Sequence, residues 1–411
     1  MITAPVQRRT VLTLMLSSAL GYFGFLSVAA VVGLLAAEML GSDSLAGLPA
    51  AVETVGTAIA ATPLALRSRR LGRRPALVLG YSVGVAGAVV SMIAGQQGFF
   101  WLLIVGMLAF GVSQTANLQS RFAAADLAGE SETARSISLV VWVGTIGAIL
   151  GPAAALWANR VGLRSGLNNW VGPFALGIVG VALAASVVQA WLRPDPLVVA
   201  GGVDGKAAPR NPLKDAVRSA KAIWPNQRAR LAIIAMAVSH MAMVAVMVMT
   251  PLHMRDHGHA DMSTLVVSVH VLGMFGLAPL IGGWADRYGR IHTVAFGAVI
   301  LAAGTIAAVV AGYVPVLMFA GLFLLGLGWS FALIAGSALL SESLPIEERV
   351  PAQGLSDLAM NVLGAVAAGA SGLVKDLAGY HWLANFATAS AVLIVVAALG
   401  IARRRQALVI D

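Results

Sequence analysis

Apolar residues come in long blocks along this chain, separated by short polar stretches, and most blocks are about 20 residues or longer. Strand-like alternation is absent, and a run of that length is what an α-helix needs to cross a bilayer. The pattern predicts helices near 10–36, 45–66, 75–94, 99–120, 134–158 and 171–192. Six more follow near 230–251, 263–284, 292–312, 315–340, 350–374 and 383–402. The one long hydrophilic stretch runs from Arg193 to Arg230 and carries Gly201, Gly202, Gly205, several prolines and scattered Lys and Arg. The expected organisation is therefore a six-helix bundle over 1–192, a cytoplasmic linker over 193–229 and a second bundle over 230–411. The first apolar run lacks a small-residue cleavage site and reads as a retained helix rather than a signal peptide.

Composition agrees with this pattern. Of 411 residues, 59% are hydrophobic and 11% charged, against roughly 25% charged in soluble domains. Twelve spans would leave too few residues for a soluble enzyme domain, and the +9 net charge is a matter of topology, not of a nucleic-acid partner. Only Arg160, Arg164, Arg255 and Lys375 of the 27 Lys and Arg fall in loops on one side; the other 23 fall on the opposite side. By the positive-inside rule both termini are expected in the cytoplasm. The absence of cysteine removes disulfides and thiolate metal sites. High Ala, Gly and Arg with only four lysines points to a bacterial inner membrane as the location.

The two halves repeat. Arg69-Arg70-Leu71-Gly72-Arg73-Arg74 follows the second helix, and Asp286-Arg287-Tyr288-Gly289-Arg290 follows the eighth, with Gly72 and Gly289 217 positions apart. The acidic loops containing Asp126 and Glu342 lie 216 apart. Duplicated halves with a midplane site between them are a transporter architecture.

On these residues the chain resembles the major facilitator superfamily, and the fullest motif is Gly282-Gly283-Trp284-Ala285-Asp286-Arg287-Tyr288-Gly289-Arg290. The resemblance implies an all-helical fold of twelve spans in two pseudo-symmetric bundles, working by alternating access. It also implies a cytoplasmic latch made by Asp286, Arg287, Gly289 and Arg290, with Gly72, Arg73 and Arg74 in the first copy. Arg69 stands where that copy should carry an acid, so the latch is expected to be asymmetric. Gly147-Ala148-Ile149-Leu150-Gly151-Pro152 resembles a motif of the family's exporters. The membrane-embedded arginine of its proton-driven drug exporters is missing from helix four, whose Arg121 comes at the cytoplasmic end.

Methionine and histidine supply the candidate chemistry. Six of 15 methionines lie between Met236 and Met254. Met243 and Met247 are four apart, His240 precedes Met243 by three, and His270 and Met274 are four apart, spacings that share a helix face. Thioether with imidazole suits Cu(I). The pairing of Met243 and Met247 with His270 and Met274 looks like the superfamily's copper-importing branch, whose sister group is similar to riboflavin importers. The first expectation is copper uptake through those four residues, with copper as cargo and no bound cofactor. His240 is a further candidate ligand, and His253, His257 and His259 in the outer loop are candidates to collect metal. The alternative is a small-organic carrier, importing a riboflavin-like vitamin or exporting drugs or metabolites by proton antiport. Gln114, Asn117 and Asn361 are then candidate cavity residues. Asp357 is a candidate proton carrier, while Glu53 and Glu38 are expected at the interface.

No phosphate-binding loop of the Gly-x-x-x-x-Gly-Lys-Ser/Thr kind is present, so the driving force is expected to be an ion or substrate gradient. No catalytic constellation shares a helix face, so the protein is not expected to be an enzyme. The expected partners are the lipid bilayer and the transported molecule or ion. Neither nucleic acid nor an obligate protein partner is inferred.

Overall fold

A computed structural model describes residues 4–42, 45–205, 212–256, 262–311 and 314–410. Among the described residues, twelve helical stretches are long and apolar enough to cross a membrane. The first span is α1 (Ala4–Ala29) with α2 (Val32–Leu40), followed by α3 (Leu48–Leu71), α4 (Arg73–Gln97) and α5 (Phe100–Ala125). Next come α6 (Thr133–Trp142) and α7 (Gly144–Arg164), which share the fifth span, and α8 (Gly172–Trp191). The connector contains the short α9 (Pro196–Val199) and α10 (Pro212–Ile223). The second half comprises α11 (Gln227–Asp256), α12 (Ser263–Phe275), α13 (Ala278–Tyr288), α14 (Arg290–Ala311), α15 (Pro315–Glu342), α16 (Ile346–Ala378) and α17 (Tyr380–Ile410). The all-helical, twelve-span fold read from the sequence is therefore present, with ends displaced by a few residues.

Three spans are broken where the hydropathy reads continuous. In the eighth, Pro279 follows the break at Gly276–Leu277. Its ring cannot sit against the carbonyl four residues earlier and it donates no N–H, so one helix ends and another begins.

By internal contacts the chain divides into two compact units, one of residues 1–127 with 143–216 and the other of 128–142 with 217–411. In the first unit α1 packs on α7 and α8, and α5 packs on α3 and α4. In the second, α14 packs on α15 and α17, α11 on α15, α16 and α17, and α6 on α13. The sequence reading assigns α6 to the first bundle; by contacts it groups with α13, for a reason given below.

Lipid offers little hydrophobic drive for helices to associate, so close van der Waals packing between small residues must supply it. Glycines at helix contacts serve this end. Gly87 of α4 lies against the backbone of Gly106 and Ala109 in α5, and Gly304 of α14, at the same 217-residue offset, lies against Gly321 and Leu324 in α15. A Cβ at either position would meet backbone rather than a movable side chain. Large apolar side chains cover the outside instead: Trp101, Leu280 and Leu393 are each 70–71% exposed, as lipid-facing residues should be.

Candidate functional site

Each unit carries a polar or aromatic cluster among apolar spans. In the first unit α4 presents Tyr81, fully buried, and α5 presents Gln114 and Asn117. The Tyr81 hydroxyl donates to Asn117 Oδ1 at 2.9 Å, and Asn117 Nδ2 donates to Gln114 Oε1 at 3.1 Å. Gly21 of α1 lies against the Asn117 amide, where a larger residue would displace it. Ser17, Ser18 and Ser120 adjoin the phenol. Gln114 and Asn117 are thus joined in one network, which Tyr81 enters without having been anticipated. Tyr81 is separated from Asn117 by 36 positions, and helical periodicity cannot pair residues that far apart.

Two charged groups in this unit are buried. Glu53 is buried near the start of α3, and its Oε2 has no hydrogen-bond partner among the described residues. Gly111 of α5 packs against the Glu53 backbone, so the first turns of α3 are covered by α5. Arg121 is 1% exposed, donates to the Leu118 carbonyl at 2.5 Å and lies over the Phe122 ring at 4.3 Å. Neither follows the usual rule that charge near a helix end reaches water. Glu38 is exposed and accepts from Asn169 Nδ2 at 2.8 Å.

In the second unit His240 is held by Trp329 of α15, whose indole Nε1–H donates to His240 Nδ1 at 3.0 Å. The ring therefore accepts at Nδ1 and keeps its proton on Nε2. Phe275 at the end of α12 stands edge-on to Trp329, with ring centres 5.9 Å apart and planes at 84°. Nothing in the spacing of His240 pointed to Trp329, 89 positions away.

His270 is fully buried, and its Nδ1 lies 2.8 Å from the Leu322 carbonyl. A carbonyl can only accept, so Nδ1 carries the proton and Nε2 is a bare lone pair. That nitrogen has no hydrogen-bond partner among the described residues. Gly326, one turn beyond Leu322, lets α15 close onto the backbone of His270 and Met274. Met243 is buried, and Met247 and Met274 are half-buried. Met236 belongs to the packed interior, where its sulfur accepts from Ser337 Oγ at 3.4 Å. No three His, Asp or Glu side chains come together to hold a metal among the described residues, so a metal here would rest on methionine sulfur.

His253, expected in an outer loop, is buried in the last turns of α11 and stacks on Tyr380 with ring centres 4.3 Å apart. The Tyr380 hydroxyl lies 2.9 Å from Thr250 Oγ1. His381 stands edge-on to His253 at 6.5 Å. His257 and His259 lie outside the described residues. In α16 Asp357 is fully buried, and Asn361 Nδ2 donates to the Asp357 carbonyl at 2.8 Å. Gly147 and Gly151 lie against Tyr22, Leu26 and Ser27 of α1, and Ser27 Oγ donates to the Gly151 carbonyl at 3.1 Å, which is a packing role.

The charged ends repeat between the units. In the second, the Asp286 carboxylate accepts from the backbone N–H of Ala134 at 3.1 Å and of Arg135 at 2.9 Å. These are the second and third residues of α6, so Asp286 supplies the oxygen that an N-cap side chain normally gives, at the positive end of the helix dipole. This contact, with the close approach of Gly282 to Ala134 and Ser138, joins α6 to α13. Arg290 pairs with Asp286 at 2.9 Å and with Glu342 at 2.7 Å, and it also donates to the Glu130 carbonyl. Gly289 has φ +90°, and Arg287 is exposed beside Tyr288.

The first unit has the matching pair: Arg73 Nε and Nη2 donate to Asp126 at 2.8 and 2.9 Å. Gly72 has φ +99°. Arg69 lies 3.9 Å from Asp204, and the capping carboxylate comes from Asp195, which accepts from the N–H of Arg73 at 3.1 Å and of Arg74 at 2.7 Å.

Comparison with known proteins places these features. The family model described as Major Facilitator Superfamily matches residues 14–264 and 232–408. The chain is 35% identical over 381 residues to the uncharacterized MFS-type transporter YdeG of Bacillus subtilis (strain 168), covering 92% of this chain and 87% of that protein. It is 28% identical over 388 residues to the riboflavin transporter RfnT of Brucella anthropi, covering 93% and 94%. The fold superposes on the crystal structure of the human organic anion transporter MFSD10 (TETRAN) with a TM-score of 0.76 at 15% identity, over 95% of this chain and 99% of that one.

Proposed function

Because this chain belongs to the major facilitator superfamily, whose members are membrane transporters of the alternating-access type, we propose that its cargo is a small aromatic organic molecule of the riboflavin class. The observation that carries this reading is the Trp329–His240–Phe275 cluster, an indole fixed by a hydrogen bond and braced edge-on by a phenyl ring. Trp329 is 4% exposed, so a planar heteroaromatic solute would stack on it only once the neighbouring spans part, each aromatic pair then contributing about 0.5–1.5 kcal/mol beyond area burial. Taken by itself, the first unit's Tyr81–Asn117–Gln114 network is uncharged and pairs internally, which suits a neutral solute rather than an ion. Neutral hydrogen bonds worth about 0.5–1.5 kcal/mol each hold a cargo and still let it go. The similarity to a riboflavin transporter supports the same class. The charge distribution supports both termini in the cytoplasm, and the similarity to bacterial transporters supports a bacterial plasma membrane.

Copper uptake is the second reading, and the bare, buried Nε2 of His270 is what keeps it. One experiment separates the two. Radiolabelled riboflavin and Cu(I) uptake are measured in bacteria lacking their own importers for each, with wild type, Trp329→Ala and His270→Ala at matched membrane expression. Saturable riboflavin uptake that is lost in Trp329→Ala supports the organic reading. Copper uptake lost in His270→Ala, without riboflavin uptake, overturns it.

A further inference from the structure

The arginine-rich end of the first unit has a groove that transport of a neutral cargo does not use. Pro5, Arg8, Arg9 and Leu12 follow one another at spacings of three, one and three, so they occupy one face of α1. With Thr13 and Trp191 at the end of α8, they line a cavity of about 720 Å³. Gln7 Nε2 donates to the Ala124 carbonyl at 2.9 Å, which ties the start of α1 to α5 and fixes which face of α1 turns outward.

Three features of this groove point to one occupant. The side chains of Arg8 and Arg9 are exposed and make no hydrogen bond or ion pair with any described residue, whereas those of Arg73, Arg121 and Arg290 are engaged within the fold. Trp191, 51% exposed, stands at the C-terminal end of α8, and indoles are enriched where headgroups meet hydrocarbon. Above the arginines the same face continues through the exposed Leu12 and Leu16, an apolar track one turn at a time. Two free cations at the mouth, an indole at the rim and an aliphatic wall behind match a phosphate with an acyl chain attached, and basic recesses between spans on the cytoplasmic side suit anionic lipid. A free phosphate would use the arginines and leave the apolar track empty.

We propose that this α1–α8 groove is a binding site for one anionic phospholipid, with its phosphate on Arg8 and Arg9 and a chain along Leu12 and Leu16. The site is independent of the cargo, so its test does not depend on the riboflavin reading.

Purified, delipidated protein is titrated with phosphatidylglycerol, with phosphatidylcholine of the same chains, and with inorganic phosphate, and bound lipid is counted by native mass spectrometry. Wild type should prefer phosphatidylglycerol over phosphatidylcholine. Arg8→Gln/Arg9→Gln should cut phosphatidylglycerol affinity by roughly twenty-fivefold, at about fivefold for each charge removed. Arg160→Gln/Arg164→Gln, on the opposite side, should change nothing. Leu12→Gln should weaken both lipids while keeping the preference, which guards against misreading a folding defect in the arginine variant. Equal binding of the two lipids by wild type, an unaltered preference in Arg8→Gln/Arg9→Gln, or competition by inorganic phosphate at the same concentration as the lipid would each overturn the proposal.

Discussion

Replacing Asp286 by Asn tests whether one carboxylate holds α6 against α13. The carboxylate accepts two backbone N–H groups of α6 and pairs with Arg290, and its side chain is 10% exposed, so solvent screens it weakly. Losing an N-cap oxygen costs about 0.5–2 kcal/mol, and hydrogen bonds to a charged group are worth about 1.5–3 kcal/mol. Asparagine keeps one acceptor oxygen, so the net loss should be about 2 kcal/mol, or roughly thirtyfold in the opening equilibrium. The chain has no cysteine, so a single introduced thiol reports without background. Ser138 is fully buried in α6 beside Gly282 of α13. Maleimide labelling of Ser138→Cys should therefore be slow, and should accelerate by about thirtyfold when Asp286→Asn is added, whereas Arg287→Gln should leave it unchanged. An unchanged rate in Asp286→Asn would mean that packing alone closes the contact and that the latch has no electrostatic part.

Three other outcomes follow from the same geometry. Arg73→Lys and Arg290→Lys retain charge but lose the guanidinium fork, so each should lower thermal stability in detergent by about 1–2 kcal/mol, with similar losses in the two units. Gly87→Ala and Gly304→Ala place a methyl against backbone and should each cost about 1–3 kcal/mol, while Gly369→Ala, which opens onto free space, should be neutral or slightly stabilising in the same melt. Trp329→Phe keeps a ring for stacking but removes the donor to His240, so half-saturation of riboflavin uptake should rise a few-fold, short of the loss expected for Trp329→Ala.

The spans and the repeat were legible in the sequence because bilayer thickness and gene duplication both leave regular spacings. The 217-residue offset read from Gly72 and Gly289 reappears as two ion pairs, Arg73 with Asp126 and Arg290 with Glu342. What escaped the sequence depends on long-range pairing. Tyr81 with Asn117 and Trp329 with His240 meet only after helices pack, and no helical period connects them. Glu53 and Arg121 sit near helix ends, where charges ordinarily reach water, and are buried by a neighbouring helix or ring instead. The acid missing from the first-half motif shows the same limit: Asp195, 122 positions beyond Arg73, comes in to cap the helix that begins there.

Counterflow in proteoliposomes tests the central claim most directly, because exchange of a cargo for itself needs no knowledge of the coupling ion. Vesicles containing the purified protein are loaded with unlabelled riboflavin and placed in a trace of labelled riboflavin. The account predicts transient accumulation of label that Trp329→Ala abolishes. Flat traces from well-folded wild type, with Cu(I) moving under the same conditions, would contradict it.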